Sequence, residues 1–505
     1  MRVLSKSKLI AFLQCKKRLW LEVHRPELRA DSSRVTASFN VGHKVGEVAR
    51  TIYDPQGKGV LLDAQRDGYS RVLKQSLDLL EGRSPLFEAG FVAEHALAFA
   101  DIMLPVRKQG ERRWKMIEVK SSTTVKDYHI DDVAIQAYIA LRAGVNLDSI
   151  KLACVDSNWI YRGGDQYKGL LVETDLTEEA MAREGEVSTW IEEAQKVAAR
   201  KRMPSLKTGD HCLKPFDCGF YEYCRSNVSA VEFPAIWLPH VKKKQLKELL
   251  ENDQLDMRSV PDALLNSIQQ RVKQCTLSGK SFFDSKEAAK VLEGYKLPAY
   301  FLDFETVQFA VPIWKNTRPY QKIPFQFSLH RLSKKRKLEH VEFMDLSGKD
   351  PSKKFAEALI SVCGKRGPIF VYNANFEKAR IAELEKRFPK ISLELSAISN
   401  RIVDLHPIAA KYYYHPSQRG SWSIKSILPT IVPALDYQTL DGVQDGSSAI
   451  DAYLEAIHTS TLKDRRAEIV AQLSAYCQLD TLALVHLWHF FSGFESCGGS
   501  NGKAF

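Results

Sequence analysis

Nowhere in the 505 residues does an apolar run approach the ~20 residues that a bilayer-spanning helix needs. The first residues, MRVLSKSKLIAFLQCKK, are interrupted by charge and lack the plan of a secretory signal. Leu9, Ile10, Phe12 and Leu13 mark one face of a helix instead. No membrane association is expected, and the expected compartment is the cytoplasm. A P-loop and internal repeats are also missing, which removes support for an ATPase or helicase. The nine cysteines are unevenly spaced and do not form a disulfide scaffold. Acidic residues are the minority charge: 61 Asp and Glu against 72 Lys and Arg, for a net +11. With pI ≈ 9.0, that balance favours a polyanionic partner such as nucleic acid. Basic clusters at Lys16-Lys17-Arg18, Arg200-Lys201-Arg202, Lys242-Lys243-Lys244 and Lys334-Lys335-Arg336-Lys337 serve equally well as solvated surface. A hydrophobic content of 44% describes a globular chain, too long for one ordinary core, so two or three domains are expected.

What is present is concentrated in three C-terminal segments. Tyr300 to Thr306 (YFLDFET) reads as a central strand, so Asp303 and Glu305 share one face while Leu302 and Phe304 pack behind. Two carboxylates on a buried strand are costly unless a cation neutralises them. Mg²⁺ or Mn²⁺ does so, and an ion pair stabilises attacking and leaving oxygens in phosphodiester cleavage. A strand at Ile369 to Tyr372 leads into a helix over 376–388, with Glu377 in its first turn. An amphipathic stretch from Arg465 to Phe491 places Tyr476 and Asp480 four apart, on one helix face. Asp480 then binds metal while the Tyr476 hydroxyl reaches an attacking water. The pattern resembles the DEDD exonuclease superfamily in its tyrosine form. That resemblance implies an RNase H-like fold and 3′–5′ exonuclease activity. The third carboxylate is usually Asp there; Glu377 is a departure with a longer arm.

The N-terminal half carries a second set. Phe87 to Glu94 is an apolar strand with Glu88 inside it, and His95 to Leu104 is a strand carrying Asp101. A basic hairpin loop over 105–113 precedes a strand from Trp114 to Lys120. Glu118 and Lys120 share a face, and Asp101 can meet them there. Two carboxylates hold Mg²⁺, and the lysine orients water or stabilises charge on phosphate. This resembles the PD-(D/E)XK nucleases, specifically the RecB-like branch. The resemblance implies a role for Gln136 on the helix after the ExK strand, and for a histidine on a helix before the sheet. His43, in FNVGHKVGE, falls several residues before that place, which aligns with Gly46.

Cys212, Cys218 and Cys224 lie in HCLKPFDCGFYEYC, and Cys15 lies far upstream in LQCKKRLWLE. One early cysteine plus a trio beyond the core resembles the iron–sulfur RecB-like nucleases, although their CxxC is missing. The resemblance implies a 4Fe–4S cluster on these four; zinc is the rival, since four thiolates satisfy it too.

The expected fold class is therefore α/β with two nuclease domains. A restriction-endonuclease-like PD-(D/E)XK domain spans 1–230, a helical linker 231–295, an RNase H-like domain 296–490 and a flexible tail 491–505. The linker reads either as packing or as a helix-hairpin-helix-like DNA contact; the glycine for the latter is missing from Glu251-Asn252-Asp253-Gln254. Asp404 is expected to cap a helix rather than bind metal. Arg419 to Lys425 is a turn and helix start that either holds a phosphate or is structural. Cys154, Cys275, Cys363, Cys477 and Cys497 read as incidental thiols. The expected function is nuclease action on DNA in repair, recombination or anti-phage defence. The alternatives are an RNA-directed exonuclease and a nucleic-acid-binding scaffold with decayed sites.

Overall fold

The structure is a computed structural model describing residues 2–226, 231–250 and 255–493. It is mixed α/β, and no described helix is long and apolar enough to cross a membrane. The expectations for Glu251 to Gln254 and for the tail from Ser496, with Cys497, lie outside the described residues. The chain divides into two compact units, Met1–Ser229 with Gln308–Gln321, and Ala230–Val307 with Lys322–Phe505.

The first unit is built on a seven-stranded sheet. Its strands are β1 (Leu4–Ser5), β2 (Val60–Leu61), β3 (Leu86–Ala93), β4 (Ala96–Lys108), β5 (Glu111–Lys120), β6 (Leu147–Val155) and β7 (Leu171–Asp175). They run in the order β2-β3-β4-β5-β6-β7, with β1 added alongside β4. β3, β4 and β5 form an antiparallel meander, and β5 pairs parallel with β6. The hairpin between β4 and β5 is tighter than the expected loop over 105–113. Both strands run on to a two-residue turn at Gln109 and Gly110, both at positive φ. Positive φ at both central residues matches the right-handed twist of the flanking strands, so the charged segment stays paired. Helices α1 (Lys6–Gln14), α2 (Lys16–His24), α3 (Ser33–Tyr53), α4 (Tyr69–Leu79), α5 (Asp127–Arg142) and α6 (Glu184–Ala198) cover the sheet. α5 is buried from Asp132 to Ala140 without a break, which explains its apolar run on all sides. Segment 308–321 packs Ala310 and Val311 against Val45, Val48 and Val155. Its Tyr320 hydroxyl donates to the Ser121 carbonyl.

The second unit holds a five-stranded sheet of β8 (Ala299–Val307), β9 (Ile323–Leu332), β10 (Leu338–Met344), β11 (Ile369–Val371) and β12 (Ile402–Asp404). Counted along the chain, the spatial order is third, second, first, fourth, fifth. β8, β9 and β10 are antiparallel neighbours, while β11 and β12 run parallel to β8. Among its helices are α7 (Ser267–Ser278), α8 (Ser352–Val362), α9 (Asn375–Arg387), α10 (Ile424–Ile431) and the 30-residue α11 (Lys463–Ser492). α11 is pinned to β9 by polar groups in an otherwise apolar contact. Gln326 donates to the Leu473 carbonyl at 3.1 Å, while Ser328 Oγ and His330 Nδ1 meet Thr481 Oγ1 at 2.7 and 2.8 Å. Residues 231–295, expected as a linker, contribute Leu238, Leu246, Met257, Val272 and Leu292 to this unit's core. They share it with Phe301, Phe370 and Trp488. Apolar positions at helical spacing mark burial without saying against which domain.

One turn sets the spacing between α8 and β11. Gly367 has φ +94°, and a Cβ there would lie 1.9 Å from the Pro298 carbonyl oxygen. Gly367→Ala is expected to destabilise the second unit by about 2–3 kcal/mol, from backbone strain and a displaced carbonyl. Urea unfolding followed by tryptophan fluorescence measures this, and an unchanged midpoint would contradict it.

Candidate functional site

In the second unit, strand β8 delivers Asp303 and Glu305 to one face, as period-two alternation requires. α11 crosses that face and brings Asp480, so that single carboxylate oxygens of Asp303, Glu305 and Asp480 lie within 4.8 Å of one another. The Thr481 contacts with β9 fix this helix one residue away from Asp480, and β9 pairs Ser328 with Asp303. Burial, then Asp480, pushes the Glu305 carboxyl up to about 8. Burial likewise raises Asp480 to about 6, against the pull of Tyr437, Lys425 and Tyr476. Asp303 is raised well above the ordinary range by burial and by its carboxylate neighbours. Three acids raised first by burial, with Asp303 and Glu305 raised further by carboxylate neighbours, fit a divalent cation, which would relieve both burial and repulsion.

Tyr476 is buried on the same face of α11, and its hydroxyl helps to lower the Asp480 carboxyl. Its hydroxyl is pushed far up by burial and then by Asp480. Glu377, in the first turn of α9, is not one of the close trio. It is buried, its carboxyl is raised to about 8 by burial, and its Oε2 has no hydrogen-bond partner. Its charge still reaches Asp303. Asp404 is turned to backbone. Its Oδ1 accepts from Asn373 and His406 N–H and its Oδ2 from Ala374, holding the turn that begins α9 and the start of the next helix.

In this unit, sequence reasoning missed one residue and undervalued another. The Tyr437 hydroxyl donates to Asp480 Oδ1 at 2.6 Å; it comes from a short turn with no motif around it. Lys425, at the start of α10, places its Nζ 4.8 Å from the Tyr476 ring centroid and 5.2 Å from that of Tyr437. Its charge lowers Asp303, Glu305 and Asp480 alike.

In the first unit, β-sheet register lines up carboxylates. Phe87 pairs with Ile102 and Ala89 with Ala100, which sets Glu88 opposite Asp101. Ile102 pairs with Ile117, which sets Asp101 opposite Glu118. Glu88 sits at φ +57°, rare for a side-chain-bearing residue, and burial followed by Glu118 raises its carboxyl. Asp101 Oδ2 accepts the Val119 N–H at 2.7 Å, and burial followed by Glu118 pushes the carboxyl up to about 8. Glu118 Oε1 takes Lys120 at 2.6 Å and Lys6 at 2.9 Å, while its Oε2 has no hydrogen-bond partner. Asp132 accepts from Lys120 at 2.5 Å; burial would raise it, but Lys120 and Lys6 hold it below its ordinary range. Gln136 donates to the Phe99 carbonyl at 2.7 Å and accepts from Lys6 at 3.2 Å. The expected Asp101, Glu118, Lys120 and Gln136 thus belong to one network, together with Lys6, Asp132 and Glu88. Lys6, Glu118, Lys120 and Asp132 line a cleft of about 1150 Å³. The open Glu118 Oε2 beside a raised Asp101 fits a divalent cation. His43 is exposed on α3, and its charge reaches Glu88.

Cys15, Cys212, Cys218 and Cys224 line one pocket at the end of α1. Among the described residues, no three of their Sγ atoms come within 4.8 Å of one another. A single tetrahedral zinc with Zn–S near 2.3 Å would need sulfurs roughly 3.8 Å apart. Burial first pushes the Cys218 thiol up to about 11, with Cys212 and Cys15 adding to it. Cys154, Cys275, Cys363 and Cys477 are buried free thiols.

A family model described as a domain of unknown function, DUF2779, matches residues 300–423. The match takes in Asp303, Glu305 and Glu377, and stops before Lys425, Tyr476 and Asp480. No curated protein matches the chain.

The raised carboxyls give a signed expectation. A folded-state value above the unfolded one stabilises below about pH 4, and that contribution is lost as pH rises through the folded values. Those values are about 6 for Asp480 and about 8 for Glu305, Glu377 and Asp101. Metal-free protein should therefore lose thermal stability between pH 5 and pH 8. Added Mn²⁺ should raise the melting temperature more at pH 8 than at pH 5. Scanning fluorimetry at both pH values checks this; equal gains at the two would count against it.

Proposed function

We propose that this chain is a metal-dependent nuclease with two active sites. In this reading the C-terminal unit is a DEDD-type, RNase H-like 3′–5′ exonuclease and the N-terminal unit a RecB-like PD-(D/E)XK nuclease. The observation that carries the reading is the convergence of Asp303, Glu305 and Asp480 within 4.8 Å, with Tyr476 four residues before Asp480 on the same buried helix face. The five-stranded sheet with its carboxylates on the central strand suits the RNase H-like resemblance, and the Asp101–Glu118–Lys120 network suits the RecB-like one.

Bound Mg²⁺ or Mn²⁺ supplies Lewis-acid stabilisation of the phosphodiester oxygens. Asp303, Glu305 and Asp480 would hold the ion, with Glu377 as a further carboxylate whose charge reaches Asp303. Tyr476, held protonated by its surroundings, works as a hydrogen-bonding group that orients the attacking water rather than as a base. Lys425 places positive charge beside the scissile phosphate. In the first unit Asp101 and Glu118 hold the cation and Lys120 orients water or steadies phosphate charge. The net charge of +11 supports a polyanionic substrate. DNA is the preferred substrate of this reading, with repair, recombination or defence as the setting.

Asp303→Ala or Glu305→Ala should reduce 3′ trimming of end-labelled oligonucleotides by about 10²-fold or more and spare first-site cleavage. Asp101→Ala or Lys120→Ala should do the reverse. Unchanged trimming by Asp303→Ala sinks the exonuclease assignment. Cleavage of RNA alone would replace DNA as substrate, and inertness on every polymer under either metal would favour a binding scaffold.

The four cysteines are proposed to hold a 4Fe–4S cluster with a structural role, tying the chain start to residues 212–224. That all four line one pocket supports this. Anaerobically purified protein should be brown and carry about four irons per chain. A colourless protein with one zinc would replace the cluster by the zinc alternative.

A further inference from the structure

Lys6 has no place in either motif, yet it is central to the first site. It opens α1, just after Ser5, whose Oγ accepts the Lys8 N–H. Its ammonium donates to Glu118 Oε1 at 2.9 Å and Gln136 Oε1 at 3.2 Å, and forms an ion pair with Asp132 Oδ1 at 3.2 Å. These come from β5 and from two turns of α5, so one side chain links three groups of the network. By holding Glu118 Oε1, Lys6 leaves the partnerless Oε2 of the same carboxylate free for a cation. By holding the Gln136 carbonyl, it keeps the Gln136 amide on Phe99.

The far end of α1 reaches the cysteine pocket. Gln14, its last residue, donates from Nε2 to the carbonyls of His211 and Phe216, each at 2.7 Å. Cys15 follows and lines the pocket with Cys212, Cys218 and Cys224. Nine helical residues span ~13 Å as one stiff element. We infer that Lys6 is a positioning residue of the first active site, and that α1 is the strut by which the cysteine pocket sets its place. The inference rests on the nuclease reading of that site.

The test uses the full chain carrying Asp303→Ala, so that only the first site cuts. Lys6→Met should lower kcat on a labelled oligonucleotide by about 10- to 100-fold while KM stays within about threefold. Mn²⁺ affinity, read by calorimetry, should also stay within about threefold, because the carboxylate ligands remain. Lys6→Arg should recover part of kcat. Gln14→Ala, which cuts both ties at the far end, should lower kcat as well. Combined with Lys6→Met it should add less than about twofold, because both act through one element. Unchanged kcat in Lys6→Met overturns the inference, as does joint loss of kcat, Mn²⁺ binding and melting temperature, which marks a purely structural residue. Full multiplication of the two effects overturns the strut. The nuclease reading fails separately, and takes the inference with it, if the protein with Lys6 intact neither cuts nor binds Mn²⁺ in a manner sensitive to Asp101→Ala.

Discussion

Acid side chains gathered in a largely buried cluster are the constraint that the second unit is organised around. A buried carboxylate costs several kcal/mol unless it is protonated, paired or bound to a cation. Glu305, Asp480 and Glu377 are buried and Asp303 is half-buried, and Lys425 is a resident cation whose charge reaches the close trio. One ammonium cannot balance three converging carboxylates, so the acids hold their protons well above the ordinary range. A fold selected for stability alone would not keep this arrangement. It would replace the central strand's acids with apolar residues of similar size, as buried charge clusters generally tolerate.

The first unit solves the same problem differently. Asp101, Glu118 and Asp132 are met by Lys6 and Lys120, and the lysines close short ion pairs with two of the three. The residual imbalance falls on Asp101 and Glu88, the two members of the cross-strand row without a lysine. Binding a divalent ion there requires less relief of repulsion, so the driving force for metal is smaller than at the trio. The two sites should accordingly differ in metal affinity, with the second the tighter, on electrostatic grounds alone.

Much of this was legible because period and spacing are geometric. Alternation on β8 placed Asp303 and Glu305 together, and the four-residue spacing on α11 placed Tyr476 beside Asp480. The strand and helix containing them were read within a few residues of their limits. Register was not legible: that Glu88 lies opposite Asp101 depends on a pairing that no local pattern fixes. Lys6 and Tyr437 were missed for a related reason. Each meets its partners across more than forty positions of chain, and neither stands in a motif. The span 231–295 showed its helical character but not its destination, since an amphipathic face declares that it is buried without naming its partner. The four cysteines expected to share one group line one pocket, and their spacing within it depends on loop conformations that sequence does not specify.

The polar pins between α11 and β9 carry the last step of the argument. Thr481 is buried and hydrogen-bonded to both Ser328 and His330. An apolar residue there would pack as well and cost less to desolvate. What the pins add is direction: they fix the rotation of a long helix about its axis, and a helix turns about 100° per residue. A slip of one residue would swing Asp480 away from Asp303 and leave Asp303 and Glu305 without their third partner. The hydrogen bonds therefore serve the carboxylate cluster, and the geometry of the site is set by the sheet's polar row as much as by the acids themselves.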